Sequence, residues 1–379
     1  MNEIVQDYVM TYSFTKLEET ARTFRRLGEA YDSAADNQTG KSGISRQLFL
    51  VADVLDECIT MQSVNMHIHT EELEKSTIKE LTGKCLINGI RIKNIKFIRK
   101  NTGKGELVLL ARTIGKSCVA VRKLMTIICN TLKCGYYADD SNRMIINEEY
   151  HQYVFTQEDR FRILTGLSRI NKDKESMNGD NFLISHLECG KAIAAIADGM
   201  GSGKRAFIES RMVIELMENC MAAGFEEKAA LELVNSAYIA GGGIGNPVTV
   251  DMSIIDCQTA CMNCIKLGAV STFVKRDSWV EIIKSTTLPI GVLEQVDYDC
   301  TSKKLYDGDY VVMVSDGILD NLPGVNKEEL MVDIINDISV REPKAMADEI
   351  LKKSLKCNGM KASDDCTVLV LGLFDTYDK

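Results

Sequence analysis

Histidine is scarce in this chain, with four among 379 residues (His67, His69, His151 and His186). They are too dispersed to complete a zinc site with the one suggestive cysteine cluster, Cys257, Cys261 and Cys264. That cluster falls in and after a hairpin turn, where residues three apart on a strand point to opposite faces, so Cys261 and Cys264 make a poor ligand pair. The 13 cysteines show no framework spacing and no secretory leader precedes them, which speaks against a disulfide-stapled fold and makes the cytoplasm the expected compartment. A basic excess is also missing. The net charge of −9 argues against nucleic acid as the main partner. The local run Arg91, Lys93, Lys96, Arg99 and Lys100 alternates with Ile90, Ile92, Ile95, Phe97 and Ile98, as the solvated face of a strand would. No window approaches the roughly 20 apolar residues of a membrane span, so membrane association would need a missing N-terminal part or a partner.

Nucleotide motifs are absent as well. Gly201-Ser202-Gly203-Lys204 looks like part of a phosphate-binding loop, yet Asp198 stands at the first required glycine position and Arg205 replaces the magnesium-binding Ser or Thr. Gly199, Gly201 and Gly203 do not have the spacing of a dinucleotide fingerprint either.

What is present is 45% hydrophobic content, enough for two or three domains with real cores, and a repeated acidic pattern. Ile193–Ala197 is a run of small apolar residues that reads as a buried strand, ended by Asp198-Gly199 and a glycine loop, with helical periodicity from Ala206 onward. Asp309–Ser315 followed by Asp316-Gly317 repeats the arrangement. Ser363-Asp364-Asp365-Cys366-Thr367 then opens the last apolar strand, Val368–Leu373. One Asp-Gly at a strand end is usually a turn former or a helix cap. Three acidic turns in one β-rich region point instead to converging carboxylates, and burying like charges calls for a compensating cation. All-oxygen ligands suit manganese or magnesium better than zinc.

In chain order, residues 1–76 read as a helical hairpin or short coiled coil, with an apolar seam Met10, Phe14, Leu17, Ala21, Phe24 and Tyr31, a break at Ser42-Gly43, and a second helix through Leu48, Val51, Leu55 and Cys58. Such an element packs in place or supports a homodimer. Residues 77–156 read as a small α+β module: a helix, strands over Gly89–Phe97 and Glu106–Arg112 turning near Gly103 and Gly105, then a helix around Val119–Leu132. Without catalytic residues, its expected role is regulation. Residues 157–379 hold the acidic pattern. Within them, Gln157–Asn178 is expected to contain helices with an apolar face (Phe161, Leu164, Leu167) able to switch the acidic site. A strand from Asp180 to Leu187 and the 193–197 strand should form a hairpin presenting Asp180 and Asp198 near one sheet end. Helices Arg205–Met221 and Glu226–Ala240 follow, and then Thr249–Ile255, Met262–Leu267, Ser271–Lys275 and Trp279–Ile283 read as an antiparallel meander.

The segments Gly179-Asp180-Asn181-Phe182, Ala197–Gly203 with Arg205-Ala206, Val250–Asp256, Leu288-Pro289-Ile290-Gly291, Ser315-Asp316-Gly317 and Asp364–Thr367 keep the order and approximate spacing of a known family. On them the chain resembles the metal-dependent PPM (type 2C) protein phosphatases, and within them the phosphatase domain of bacterial stage II sporulation protein E. The resemblance implies an α+β fold, an αββα sandwich of two antiparallel sheets flanked by helices, with two Mn2+ or Mg2+ ions at one end. It implies that Asp198 bridges the ions, that the Gly199 carbonyl binds one, that Asp316 and Asp364 complete the ligands, and that Asp180 contributes. Asp365 would support the ligands from behind; Lys204 or Arg205 would hold the phosphate. The implied activity is hydrolysis of phosphoserine or phosphothreonine on a protein, such as a STAS-type anti-anti-sigma factor in sporulation and sigma-factor regulation, by a metal-bridging water. The competing class is a catalytically weak PPM-fold module that binds a signalling partner. Asp198, Asp316 and Asp364 favour the enzyme, and no nucleotide motif supports a kinase.

Overall fold

The computed structural model describes residues 17–29, scattered positions between 45 and 56, and residues 69–376 except 72, 100–104, 116, 140, 174, 188–189, 202, 224, 240–245 and 294. Of the expected N-terminal helical pair, Met10, Phe14, Tyr31, Ser42, Gly43 and Cys58 lie outside these residues. Residues 17–29 form a helix, α1. It docks on the C-terminal half of the chain. Leu27 is fully buried in the same core as Met217, Cys220 and Met221, and Phe24 meets Phe225 edge to face with centroids 6.1 Å apart. Thr23 Oγ1 donates to the Asn219 carbonyl at 3.3 Å.

Next comes an antiparallel sheet in the order β1-β2-β3-β7-β5. Its strands are β1 (His69–Glu71), β2 (Ile90–Arg99), β3 (Gly105–Thr113), β5 (Tyr136–Ala138) and β7 (His151–Gln157). Helices α2 (Lys75–Ile87) and α3 (Val121–Leu132) cover one face, and the short pair β4 (Val119–Ala120) and β6 (Ile145–Ile146) stands apart. At the start of β2, Ile90 is buried while Arg91 and Lys93 are exposed; toward its end both Phe97 and Ile98 are buried, Ile98 in a separate small cluster with Val108 and Val154, so the strand has no single wet face along its length.

Two five-stranded antiparallel sheets make up the rest. One has the order β15-β12-β11-β10-β9, from β9 (Asp180–His186), β10 (Lys191–Gly199), β11 (Val248–Asp256), β12 (Cys261–Leu267) and β15 (Asp299–Lys304). The other has the order β14-β13-β16-β17-β8, from β8 (Phe161–Ile170), β13 (Thr272–Arg276), β14 (Trp279–Ile283), β16 (Tyr310–Val314) and β17 (Cys366–Asp375). Ala192, Ala194 and Ile196 of β10 share a core with Met313 of β16 and Leu369 of β17, so the sheets face each other. Helices α4 (Lys204–Ala222) and α5 (Glu227–Tyr238) cover the outer side of the first sheet. The short α6 (Asp316–Asp320), α7 (Lys327–Asn336) and α8 (Pro343–Cys357) cover the second. The result is an αββα sandwich. The small side chains of β10 follow from this position: the strand is central and buried on both faces, helices on one and the facing sheet on the other.

Two expectations are corrected. Where Phe161, Leu164 and Leu167 predict switch helices within Gln157–Asn178, the structure has strand β8, paired with β17 from Cys366↔Ile170 to Asp375↔Phe161. The three-residue spacing is incidental to a period of two: Phe161 and Ile163 point into the core between the sheets, while Arg162 and Leu164 point outward. The expected meander is also divided, because β11 and β12 lie in one sheet and β13 and β14 in the other. Cys261 is exposed and Cys264 buried, on opposite faces of β12.

Candidate active site

The acidic residues collect where β9, β10, β16 and β17 begin or end. Asp198 is the penultimate residue of β10 and sits directly opposite Asp180, the first residue of β9. Asp316 opens α6 after β16, and Asp364 and Asp365 precede β17, the neighbour of β16. Ser315 and Thr367 zip the second pair of ends together. The Ser315 N–H donates to the Thr367 carbonyl at 3.0 Å, and the Thr367 N–H donates to Ser315 Oγ at 2.9 Å. Thr367 Oγ1 then donates across the sandwich to Asp180 Oδ2 at 2.6 Å.

Close backbone approaches make two glycines necessary. A Cβ on Gly317 would stand 2.1 Å from the Asp365 carbonyl oxygen, and one on Gly199 would stand 2.4 Å from the Ala206 carbonyl oxygen. The Asp-Gly pairs therefore let strand ends lie against neighbouring backbone, which keeps the preceding carboxylates close to one another.

Crowding and burial show in the acidities. Asp198 is pushed up to about 9, first by desolvation and then by the charges of Asp180, Asp316 and Asp364. Asp180 is pushed up to about 7 by desolvation, against the hydrogen bond from Thr367 that favours its charged form. Asp316 is raised by desolvation and then by Asp364 and Asp320. Its carboxylate is nevertheless open to solvent, which tempers the effect.

This donor set fits a hard divalent cation. Every donor is an oxygen, the carboxylates raise one another's affinity for positive charge, and buried Asp180 Oδ1 has no hydrogen-bond donor. The carboxylates are neighbours rather than a finished cage: among the described residues, no group of three or more His, Cys, Asp or Glu side chains is gathered tightly enough to hold a metal ion as it stands.

Asp365 plays a different part. It is buried, its Oδ1 accepts from the Lys172 N–H at 2.8 Å and its Oδ2 from the Gly179 N–H at 2.7 Å. One carboxylate thus clasps both ends of the connection that leads from β8 to Asp180. Because both partners are donors, an acceptor-only side chain is required. Lys204 and Arg205 are exposed on the first turn of α4, and Arg205 is paired with Glu209 at 3.0 Å.

Sequence reasoning misses two basic residues here. Arg169 Nη2 donates to the Asn178 side chain at 2.9 Å and to the Asp180 carbonyl, and its guanidinium stacks on Phe182. Lys172 Nζ lies 3.4 Å from Asp364 Oδ1. Neither could be found from a motif, because both fall within Gln157–Asn178, the segment expected to contain helices. A strand assignment for 161–170 would have placed them at the acidic end.

Residues 189–374 match the family model described as stage II sporulation protein E (SpoIIE). The stage II sporulation protein E of Bacillus subtilis (strain 168) is 31% identical over 223 residues, 59% of this chain and 27% of that protein. That of Priestia megaterium is 30% identical over 210 residues, 55% of this chain and 36% of that protein. The chain thus spans about a third or less of the length of these relatives. The solved structure of the PP2C phosphatase domain with a fragment of the regulatory domain of SpoIIE from B. subtilis superposes with a TM-score of 0.61 at 24% identity, covering 90% of this chain and 99% of that one. That likeness is one of fold.

Proposed function

We propose, from the match of residues 189–374 to the stage II sporulation protein E family model, that this chain is a metal-dependent phosphatase removing phosphate from serine or threonine of a protein. The observation that carries the reading is the convergence of Asp180, Asp198, Asp316 and Asp364 from both sheets on one end of the sandwich, with Asp180 Oδ1 unanswered by any donor.

In this reading Asp198, Asp316 and Asp364, the Gly199 carbonyl and Asp180 hold two Mn2+ or Mg2+ ions. Such ions, when bound, neutralise the carboxylates and act as Lewis acids toward phosphoryl oxygen and the attacking water. The chain's own residues set the geometry. Thr367 engages one oxygen of Asp180, and the other, Oδ1, meets no donor and would be available to a cation. Asp365 fixes the connection before Asp180, and the Ser315–Thr367 pair fixes Asp316 relative to Asp364. We assign as substrate a phosphorylated STAS-type anti-anti-sigma protein, and as regulatory parts residues 1–76 and 77–156; the docking of α1 on α4 supports that second assignment.

The second reading, a PP2C-fold module that binds a partner with little catalysis, draws on the open arrangement of the carboxylates. One assay separates the two. Hydrolysis of p-nitrophenyl phosphate and of a phosphoserine peptide that needs Mn2+ or Mg2+ and stops with chelator supports the enzyme, with phosphoserine and phosphothreonine preferred over phosphotyrosine. Saturable metal binding with no turnover on any of these supports the module.

A further inference from the structure

We propose that the face of the β1-β2-β3-β7-β5 sheet turned away from α2 and α3 holds a site for a small, phosphate-bearing ligand between Arg91, Lys93 and Arg112. The site is separate from the acidic end and does not depend on the phosphatase reading. Ile90, Ile92, Ile95 and Phe97 of β2 pack on the helix side. Their spacing changes from even to odd between Ile92 and Ile95, and the ladder absorbs the change in a register shift between Ile92 and Asn94, which leaves Lys93 as the extra residue. The bulge aims that side chain at Tyr150, with Nζ 5.5 Å from the ring centre. Arg112 reaches the same ring from β3, its guanidinium carbon 5.0 Å from the centre. Arg91 stands directly opposite Arg112 in the ladder. Three cations thus share one end of the sheet.

Like charges directly opposite on neighbouring strands destabilise a sheet unless something answers them. In a chain of net charge −9 carboxylates are plentiful, and other arginines find them: Arg160 pairs with Asp375 at 3.1 Å and Arg276 with Asp309 at 2.6 Å. Among the described residues, Arg91, Lys93 and Arg112 have no such partner, and Glu149, next to Tyr150, turns to His151 at 3.5 Å instead. The buried Nε of Arg112 meets no acceptor. Stacking on Tyr150 therefore holds the guanidinium in place while its donors stay uncommitted, which suits an oxyanion. A phosphate group answers both opposed arginines with its own charge, and the Lys93 ammonium adds donors from the bulge. The ligand is compact, because the cationic area ends where Lys96 stands opposite buried Val108 and the face turns apolar. Extended polyanions fit less well. The overall acidic excess repels an anionic bilayer or a nucleic acid.

The test is calorimetry on the full chain in chelator, where no metal ion can hold an anion at the acidic end, with inorganic phosphate and pyrophosphate at low salt. Lys93→Met and Arg112→Met are compared with Lys123→Met, which removes an exposed charge from α3. The parent should bind pyrophosphate saturably and unfold at a higher temperature in its presence. Lys93→Met and Arg112→Met should each bind about ten-fold more weakly, the scale of one hydrogen bond to a charged group, while Lys123→Met should bind as the parent does. Without ligand, Arg112→Met should unfold at the parent's temperature or above it, because a contact between like charges has gone. Should Arg112→Met not fold, Lys93→Met carries the test, since its side chain is exposed on a bulge. No saturable binding of either anion overturns the proposal. So does binding that the site variants leave unchanged, or that Lys123→Met weakens as much as they do. Sedimentation with phosphatidylglycerol vesicles covers the other source of phosphate: vesicle binding that needs Lys93 and Arg112, without binding of the free anions, replaces the site with a lipid-facing surface and also overturns it.

Discussion

Thr367 and Asp180 belong to different sheets, and the 2.6 Å hydrogen bond from Thr367 Oγ1 to Asp180 Oδ2 ties the sheets together at the acidic end. Both residues are buried. Replacing Thr367 with Val keeps the shape, removes the donor and leaves a desolvated carboxylate oxygen unanswered. We expect a loss of about 1–3 kcal/mol of stability in chelator, together with weaker Mn2+ binding, by chemical denaturation and metal titration. Unchanged values for both would remove this bond from any account of the site.

Asp198→Asn should separate stability from activity. In the metal-free protein Asp198 holds its proton up to about 9, so Asn replaces a carboxyl that is already neutral at pH 7, and thermal unfolding in chelator should hold steady. The stabilisation that Mn2+ confers on the parent should largely vanish, and turnover should fall by orders of magnitude. A folded Asp198→Asn protein with undiminished hydrolysis would sink the proposed mechanism.

The same desolvation and crowding predict a pH dependence. The unfolded chain releases carboxyl protons near the ordinary value of about 3.9, whereas folded Asp180 and Asp198 hold theirs up to about 7 and about 9. The folded form therefore binds these protons more tightly. Their contribution to stability is full below about pH 4 and is lost as pH rises through 7 toward 9. In chelator, unfolding temperature should decline from pH 5 to pH 9. With Mn2+ present the decline should flatten or reverse, because the cation competes with protons for the same oxygens. A metal-free protein equally stable across that range would contradict the raised acidities.

Gly317→Ala tests the backbone approach. The added methyl carbon would meet the Asp365 carbonyl oxygen at 2.1 Å, and neither strand end can retreat without breaking the Ser315–Thr367 hydrogen bonds. About 1–3 kcal/mol of stability should be lost, and metal affinity should fall because Asp316 and Asp364 separate. Full Mn2+ affinity in the variant would show that the ligands tolerate such a shift.

Much of this molecule could be read locally. The Ile193–Ala197 strand ending at Asp198-Gly199, the strand before Asp316 and the helical period after Ala206 are patterns within a few residues, and each became the expected element. The two-residue period of β8 was overlooked because Phe161, Leu164 and Leu167 also satisfy a helical spacing. What decides between the periods is a partner strand, β17, about 200 residues away. Likewise nothing near Ser271 or Trp279 says which sheet a strand joins, since both sheets offer an apolar face.

The sequence by itself determined the acidic residues at strand ends, the glycines behind them and the family they resemble, because strand period, turn chemistry and charge act over short range. Only the tertiary structure decided that Asp180 faces Asp198, that Thr367 reaches Asp180, that Asp365 clasps Lys172 and Gly179, and that the Lys172 ammonium comes to Asp364. Those pairs are set by strand register and by the packing of two sheets, which depend on contacts between residues up to about 190 positions apart.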